Sequence, residues 1–186
     1  MNSPADHLLM LRVREGEVGH LGVLFERYHG VLFNFFLRMT GSGQISEDLV
    51  QDVFMRMLRY RHTYRDNGNF TTWMYKIARH VRFDDLRKRK EEAALDEEEE
   101  NRHISRLPVP GAQMEKDQEA RLLRAALEQL APDKREILIL NRFQYLKYEE
   151  IADLLGCEVG AVKVRVYRAI RELREAFFDL VGEKAS

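Results

Sequence analysis

Between residues 159 and 174 the chain carries Lys163, Arg165, Arg168, Arg171 and Arg174 against a single acid, Glu172. Five cations at such spacing repel one another unless a polyanion is near, and their donors suit phosphate oxygens and the O6 and N7 edge of guanine. The chemistry is binding rather than turnover. Just upstream, Ile151, Ala152, Leu154 and Leu155 recur at helical spacing over residues 148–155, and Gly156 then ends that helix. Val162, Val166, Ile170 and Leu173 give the basic segment an apolar side of its own. Two short helices about a glycine-containing turn make a helix-turn-helix, a device for laying a basic helix in a DNA groove. The competing reading is an arginine-rich solvated surface, which a helix dipole also favours near its C-terminus.

A second constellation gathers aromatics and cations around a polar loop, RHTYRDNGNF at residues 61–70: Tyr64, Arg65, Phe70, Trp73, Tyr75, Lys76, Arg79 and His80. Aromatic faces take over the stacking of an unpaired base at about 1 to 3 kcal/mol, while cations hold the phosphates. Several of these rings must fill a core, and Trp73 and Phe70 are the expected core members. A third feature is an acid and amide stripe, Asp48, Gln51 and Asp52, opposite the apolar stripe Leu49, Val50, Val53, Phe54, Met57 and Leu58. It either solvates an outer face or accepts hydrogen bonds from a basic helical partner.

Enzyme chemistry finds no footing. The histidines are scattered, and no nucleophile with its base, metal cluster or glycine-rich phosphate loop occurs. His80 with Asp84 is the one helical pair at metal-ligand spacing. Neither a cofactor, a metal nor a small-molecule substrate is expected. The lone Cys157, in the turn of the helix-turn-helix, excludes an internal disulfide and reads as a small filler.

These groups need scaffolding, and 186 residues with 45% apolar content can form two small cores. No run of about 18 uncharged apolar residues exists, nor a signal-peptide pattern, so a soluble cytoplasmic protein without membrane insertion is expected. Formal net charge is −1, so nucleic-acid affinity must come from local segregation of charge. From Leu21 to Met39 apolar residues follow the spacing of a long helix, which the GSG at residues 41–43 stops. Ser46 is the expected N-cap of the next helix, and Thr71 or Thr72 that of a third, which runs into RKRK at residues 87–90. An acidic run, DEEEE at 96–100, and LPVPG at 107–111 then read as a linker. Whether the third helix continues to about Leu95 is left open. Leu122, Leu123, Ala126, Leu127 and Leu130 mark a further amphipathic helix, and Pro132 fits the first turn of another containing Ile137, Leu138 and Leu140. No strand pattern or repeat appears. The fold class expected is all-α, two small helical bundles joined by a flexible linker.

The order and spacing of three blocks carry a resemblance. SEDLVQDVFMRML at residues 46–58, FTTWMYKIARHVRFDDLRKRK at residues 70–90 and VGAVKVRVYRA at residues 159–169 are similar to the core-binding, minus-ten and minus-thirty-five helices of bacterial extracytoplasmic-function (ECF) sigma factors of the sigma-70 family. The resemblance implies sigma domain 2 over residues 1–92, a linker over 93–116 and sigma domain 4 over 117–186. It further implies binding to core RNA polymerase at its clamp and flap, recognition of promoter DNA as duplex and single strand, promoter opening without nucleotide hydrolysis, and control by an anti-sigma factor. On this footing Asp48, Gln51, Asp52 and Met55 dock on the polymerase. Tyr64, Arg65, Asn67, Lys76, Arg79, His80 and Arg87 meet the minus-ten element, with Tyr64 and Asn67 gripping an extruded base. Lys163, Val164, Arg165, Tyr167 and Arg168 meet the minus-thirty-five element. The acidic linker would thread toward the polymerase active-site and RNA-exit channels.

The chain departs from the family pattern at four places. His80 stands where asparagine is common, Ala161 where threonine is, Val164 where serine is, and Lys147 where a capping serine precedes YEEIA. These bear on fine specificity. Two other readings compete: a sigma-like mimic that sequesters an anti-sigma factor, and a stand-alone helix-turn-helix regulator. The retained Lys163, Arg165 and Arg168 speak against the first, and the second leaves the amino-terminal half without a role.

Overall fold

A computed structural model describes residues 4–66, 68–95 and 114–185. The fold is all-α, and no strand occurs among the described residues. In chain order the helices are α1 (Pro4–Arg14), α2 (His20–Thr40), α3 (Gly43–Arg59), α4 (Phe70–Leu95), α5 (Met114–Gln129), α6 (Pro132–Leu138), α7 (Tyr148–Leu155) and α8 (Val159–Ala185). A 3₁₀ turn, Arg61–Thr63, precedes α4, and a π-helical turn, Ile139–Phe143, extends α6. They form two compact units, the first built on α1 to α4 and the second on α5 to α8. The linker segment from residue 96 to 113, with its acidic run, lies outside the described residues.

In the first unit α2 supplies Leu24, Tyr28, Leu32, Phe35 and Phe36 to the core. Aromatic pairs lock it to its neighbours: Phe25 meets Phe54 of α3 at 4.9 Å between centroids, and Tyr28 and Phe35 meet Phe70 and Tyr75 of α4 at 5.1 and 5.3 Å. Such edge and tilted contacts fit the ring quadrupoles and add to the area buried. Leu49, Val50, Val53, Phe54 and Met57 fill the inner face of α3 as their spacing requires.

Helix starts differ from expectation. Ser42, not Ser46, caps α3, its hydroxyl accepting from Ile45 N at 3.4 Å. Ser46 is buried one turn on and donates to the Ser42 carbonyl at 2.6 Å. Gly41, at φ +70°, lets the chain reverse early enough for the first serine to take the cap. Asn69 caps α4 by accepting from Thr72 N at 3.1 Å, whereas Thr71 and Thr72 are buried in the first turn. α4 runs on to Leu95, the continuation that the sequence left open.

α1 is an element that the apolar periodicity did not announce. Residues 8–11 read LLML, apolar on every side, which blurs the stripe that Met10 and Val13 bury. Its Asp6 is buried, accepts from the Tyr28 hydroxyl at 2.7 Å and pairs with Arg27. A buried carboxylate is tolerated because it is met on both sides.

In the second unit α5, α6 and α7 all pack on α8. Leu122, Ala126, Leu127, Ile137, Leu138, Leu140, Ile151 and Leu154 are buried, as are Val162, Val166 and Ala169 of that helix. Lys134 and Glu172 pair at 2.6 Å between α6 and α8. Lys147 begins α7, and its side chain makes no cap. The Glu150 carboxylate instead accepts from the Lys147 N–H at 2.8 Å, the half of a capping box that a lysine leaves intact. Gly156 closes α7 at φ +64°, and α8 starts three residues later.

Candidate nucleic-acid and polymerase interfaces

Burial of Val162, Val166 and Ala169 fixes the rotation of α8, and the other sides of its first three turns face outward. Lys163, Val164, Arg165, Tyr167 and Arg168 are all exposed, Tyr167 at 69% and Val164 at 47%. An ammonium, two guanidiniums, a phenol and an isopropyl group thus stand on a helix whose N-terminal end is set by the α7 turn. That is the layout by which a recognition helix reads base edges and phosphates.

On α4 the inner face carries Phe70, Met74, Ala78 and Val81. Opposite it, at intervals of three and four, stand Lys76, Arg79, His80, Phe83 and Arg87. Lys76 and Arg79 are half-buried, and the other three are exposed. The Arg79 guanidinium sits 5.5 Å from the centre of the Phe83 ring. Arg65, at the edge of the preceding loop, is exposed as well. His80 and Asp84 hold no metal geometry. Asp84 is engaged by Arg56 at 2.6 Å and Arg87 at 3.1 Å, and no group of three or more His, Cys, Asp or Glu placed for a metal occurs among the described residues. The Arg56 hydrogen bond, with the charges of Arg56, Arg87 and His80, holds the Asp84 carboxyl below its ordinary range although partial desolvation opposes this.

Tyr64 corrects an expectation. It is only 1% exposed, wedged edge-on against Trp73 at 5.1 Å and beside Phe70 at 6.4 Å. Its hydroxyl donates to the Gly68 carbonyl at 3.2 Å and shares a 2.7 Å bond with His7 Nδ1 of α1. Arg14, also of α1, donates to the Tyr64 carbonyl at 3.1 Å and pairs with Asp66. Burial, with the charge of Asp6 added, pushes the Tyr64 phenol up to about 12. Tyr64 is a core residue, closed to an extruded base. Trp73, expected in the core, is only half-buried. Asn67 lies outside the described residues.

On α3 the stripe Asp48, Gln51 and Met55 is exposed, Met55 at 66%. Asp52 is half-exposed and pairs with Arg56 at 3.0 Å, so one of its oxygens already has a partner. Beside the stripe, a groove of about 380 Å³ between α2 and α3 is lined by Phe25, Phe33, Val50, Glu47 and Gln51. A partner helix would find acid and amide acceptors on one edge and an apolar floor on the other.

Comparison with known proteins places these surfaces in a family. The sigma-70 region 2 model matches residues 24–92, and the sigma-70 region 4 model matches residues 120–173. The RNA polymerase sigma factor CarQ of Myxococcus xanthus is 32% identical, over 95% of this chain and 99% of its own. The ECF RNA polymerase sigma factor EcfG of Rhodopseudomonas palustris is also 32% identical, over 75% of each chain. The chain belongs to the ECF group of the sigma-70 family. Among solved structures, the sigma factor RpoE of Bartonella quintana, in complex with the anti-sigma factor NepR, superposes with a TM-score of 0.70. It is 25% identical, with 83% of this ECF sigma factor and 94% of the other chain covered. The region 2 match starts inside α2 and ends inside α4, leaving out α1. The region 4 match takes in the helix-turn-helix and ends midway along α8.

No helix among the described residues is long and apolar enough to cross a membrane. His7, Arg14 and Phe83 are the residues of these surfaces that sequence reasoning missed. Phe83 had a signal, its three- and four-residue spacing from Arg79, His80 and Arg87; His7 and Arg14 had none, being more than 45 positions from the loop that they hold.

Proposed function

We propose that this ECF sigma factor binds core RNA polymerase in the cytoplasm, directs it to promoters with two elements and drives their opening with binding energy alone. Residues 1–92 act as sigma domain 2, 93–116 as linker and 117–186 as sigma domain 4. Asp48, Gln51 and Met55, with the groove beside them, take the polymerase clamp; Asp52 serves more through Arg56 than by direct contact. Arg65, Lys76, Arg79, His80 and Arg87 hold minus-ten DNA. Lys163, Val164, Arg165, Tyr167 and Arg168 take the minus-thirty-five duplex, with Lys163 and Arg168 on guanine edges and Val164 against a thymine methyl. The protein supplies no catalytic group. RNA synthesis belongs to the polymerase.

The observation that carries this reading is the cationic outer face of α8 in a chain whose other unit displays a second cationic helix face and an acid and amide stripe. A stand-alone regulator needs only the first of these. An anti-sigma factor is the proposed inhibitor, supported by the Bartonella quintana relative, solved with NepR bound. The test is holoenzyme assembly. Labelled protein titrated with core polymerase should bind, and Gln51→Ala with Met55→Ala should weaken binding at least tenfold while circular dichroism stays unchanged. Wild-type protein that ignores core polymerase yet binds duplex DNA by itself would favour the stand-alone regulator.

A further inference from the structure

The loop that leads into α4 carries an acid beside the cation that the sigma-factor reading gives to a phosphate. Asp66 follows Arg65 directly, and its side chain is 77% exposed. A bare carboxylate there would repel a DNA backbone and would offer Arg65 a neighbouring partner in place of a phosphate. Arg65 is exposed as well and takes part in no ion pair among the described residues. The acid is answered from α1, outside the region 2 match. Arg14 Nη1 pairs with Asp66 Oδ1 and also donates to the Tyr64 carbonyl at 3.1 Å.

The shape of the loop has other supports. The Gly68 N–H donates to the Arg65 carbonyl at 2.9 Å, in a turn so tight that a Cβ on Gly68 would stand 2.9 Å from the same oxygen. The Tyr64 hydroxyl donates to the Gly68 carbonyl at 3.2 Å, and Asn69 caps α4. Backbone bonds and a buried ring thus fix the turn, and what the Arg14 guanidinium adds at Asp66 is charge. An exposed ion pair contributes little to stability. Its consequence lies in what the two charges do to a ligand.

We infer that Arg14 is a positioning residue for minus-ten DNA: by holding and neutralising Asp66 it keeps Arg65 available to a phosphate of the opened strand, and it touches no nucleotide itself. This rests on the sigma-factor reading, in which Arg65 holds minus-ten DNA.

The experiment uses reconstituted holoenzyme and a fluorescent single-stranded oligonucleotide across a series of salt concentrations. Its sequence is the non-template minus-ten strand of a promoter that the wild-type holoenzyme transcribes. Arg14→Met, which keeps a long apolar stem and loses the charge, should bind about fivefold more weakly at about 0.1 M salt. Its slope of log affinity against log salt should be smaller by about 0.7, the share of one phosphate contact on a single strand. Asp66→Ala, with Arg14 untouched, should change neither quantity, and adding it to Arg14→Met should restore both. Arg14→Lys keeps a positive charge beside Asp66 and should stay within about twofold of wild type. Core-polymerase affinity should be the same for every variant. An Arg14→Met defect that Asp66→Ala leaves unrepaired would overturn the inference and make Arg14 a direct DNA contact. So would an Asp66→Ala defect as large as that of Arg14→Met, which would make the pair a brace for the shape of the loop. Unchanged affinity and slope in Arg14→Met would overturn it as well. A wild-type chain that supports no transcription at all would sink the sigma-factor reading itself, an outcome distinct from any of these.

Discussion

His7 and Tyr64 meet at 2.7 Å, Nδ1 to hydroxyl, across 57 positions of sequence. The contact joins a helix outside the region 2 match to the first residue after the 3₁₀ turn, and it turns a tyrosine suited to grip DNA into part of the core. With Arg14 on the Tyr64 carbonyl and on Asp66, α1 holds the start of the loop that leads into α4.

Tyr64→Phe keeps the ring and removes its two hydroxyl bonds, so it should cost about 1 kcal/mol of stability by urea denaturation. Minus-ten oligonucleotide affinity should change less than twofold, on the general expectation that a buried group makes no contact with the ligand. Tyr64→Ala should cost about 3 to 5 kcal/mol, as for other buried aromatics. If Tyr64→Phe instead lost DNA binding at unaltered stability, the hydroxyl would be a DNA contact and the burial irrelevant.

Alkaline pH should unfold the first unit early. The Tyr64 phenol has a folded value of about 12 against 10.0 when unfolded, and burial raises Tyr28 and Tyr75 as well. Above pH 10 the unfolded chain loses these protons while the folded chain keeps them. The stability that Tyr64 contributes is complete below pH 10 and is lost as pH rises toward 12, and Tyr28 and Tyr75 add to the loss above pH 10. Melting temperature should fall steeply from pH 10 upward, and less steeply in Tyr64→Phe. Parallel slopes for the two proteins would contradict the assignment.

In the second unit Gly156 holds φ +64° at the turn that aims α8. A Cβ there meets no neighbour, so only the backbone conformation objects. Gly156→Ala should therefore cost about 1 to 2 kcal/mol, read by thermal or urea unfolding. An unchanged stability would show that the turn relaxes elsewhere.

Arg168→Ala should weaken binding to a minus-thirty-five duplex by about 1 to 3 kcal/mol if the guanidinium reads a base. The loss should fall on one base pair when each position of the element is varied in turn. A uniform loss across all sequences would make Arg168 a phosphate contact. Affinity for core polymerase should not move.

Much of the fold was legible because five helices carry one clean apolar stripe. The stripes of α2, α3, α4, α7 and α8 repeat at three and four residues and fall on the buried face. α1 was illegible because its leucines surround it, and the cap of α3 because Ser42 and Ser46 both suit that position. The loop was harder still. Spacing placed Tyr64 beside cations but could not reveal that His7 and Arg14 of α1 close over that side.

The most direct measurement is run-off transcription with core polymerase on genomic fragments, including the segment upstream of this chain's own coding sequence, with and without the protein. A discrete transcript that requires both core polymerase and this protein, and that vanishes when either promoter element is scrambled, is the expected result. No stimulated transcript on any fragment, from protein that binds an anti-sigma factor tightly, would contradict the account and leave a sigma-like mimic in its place.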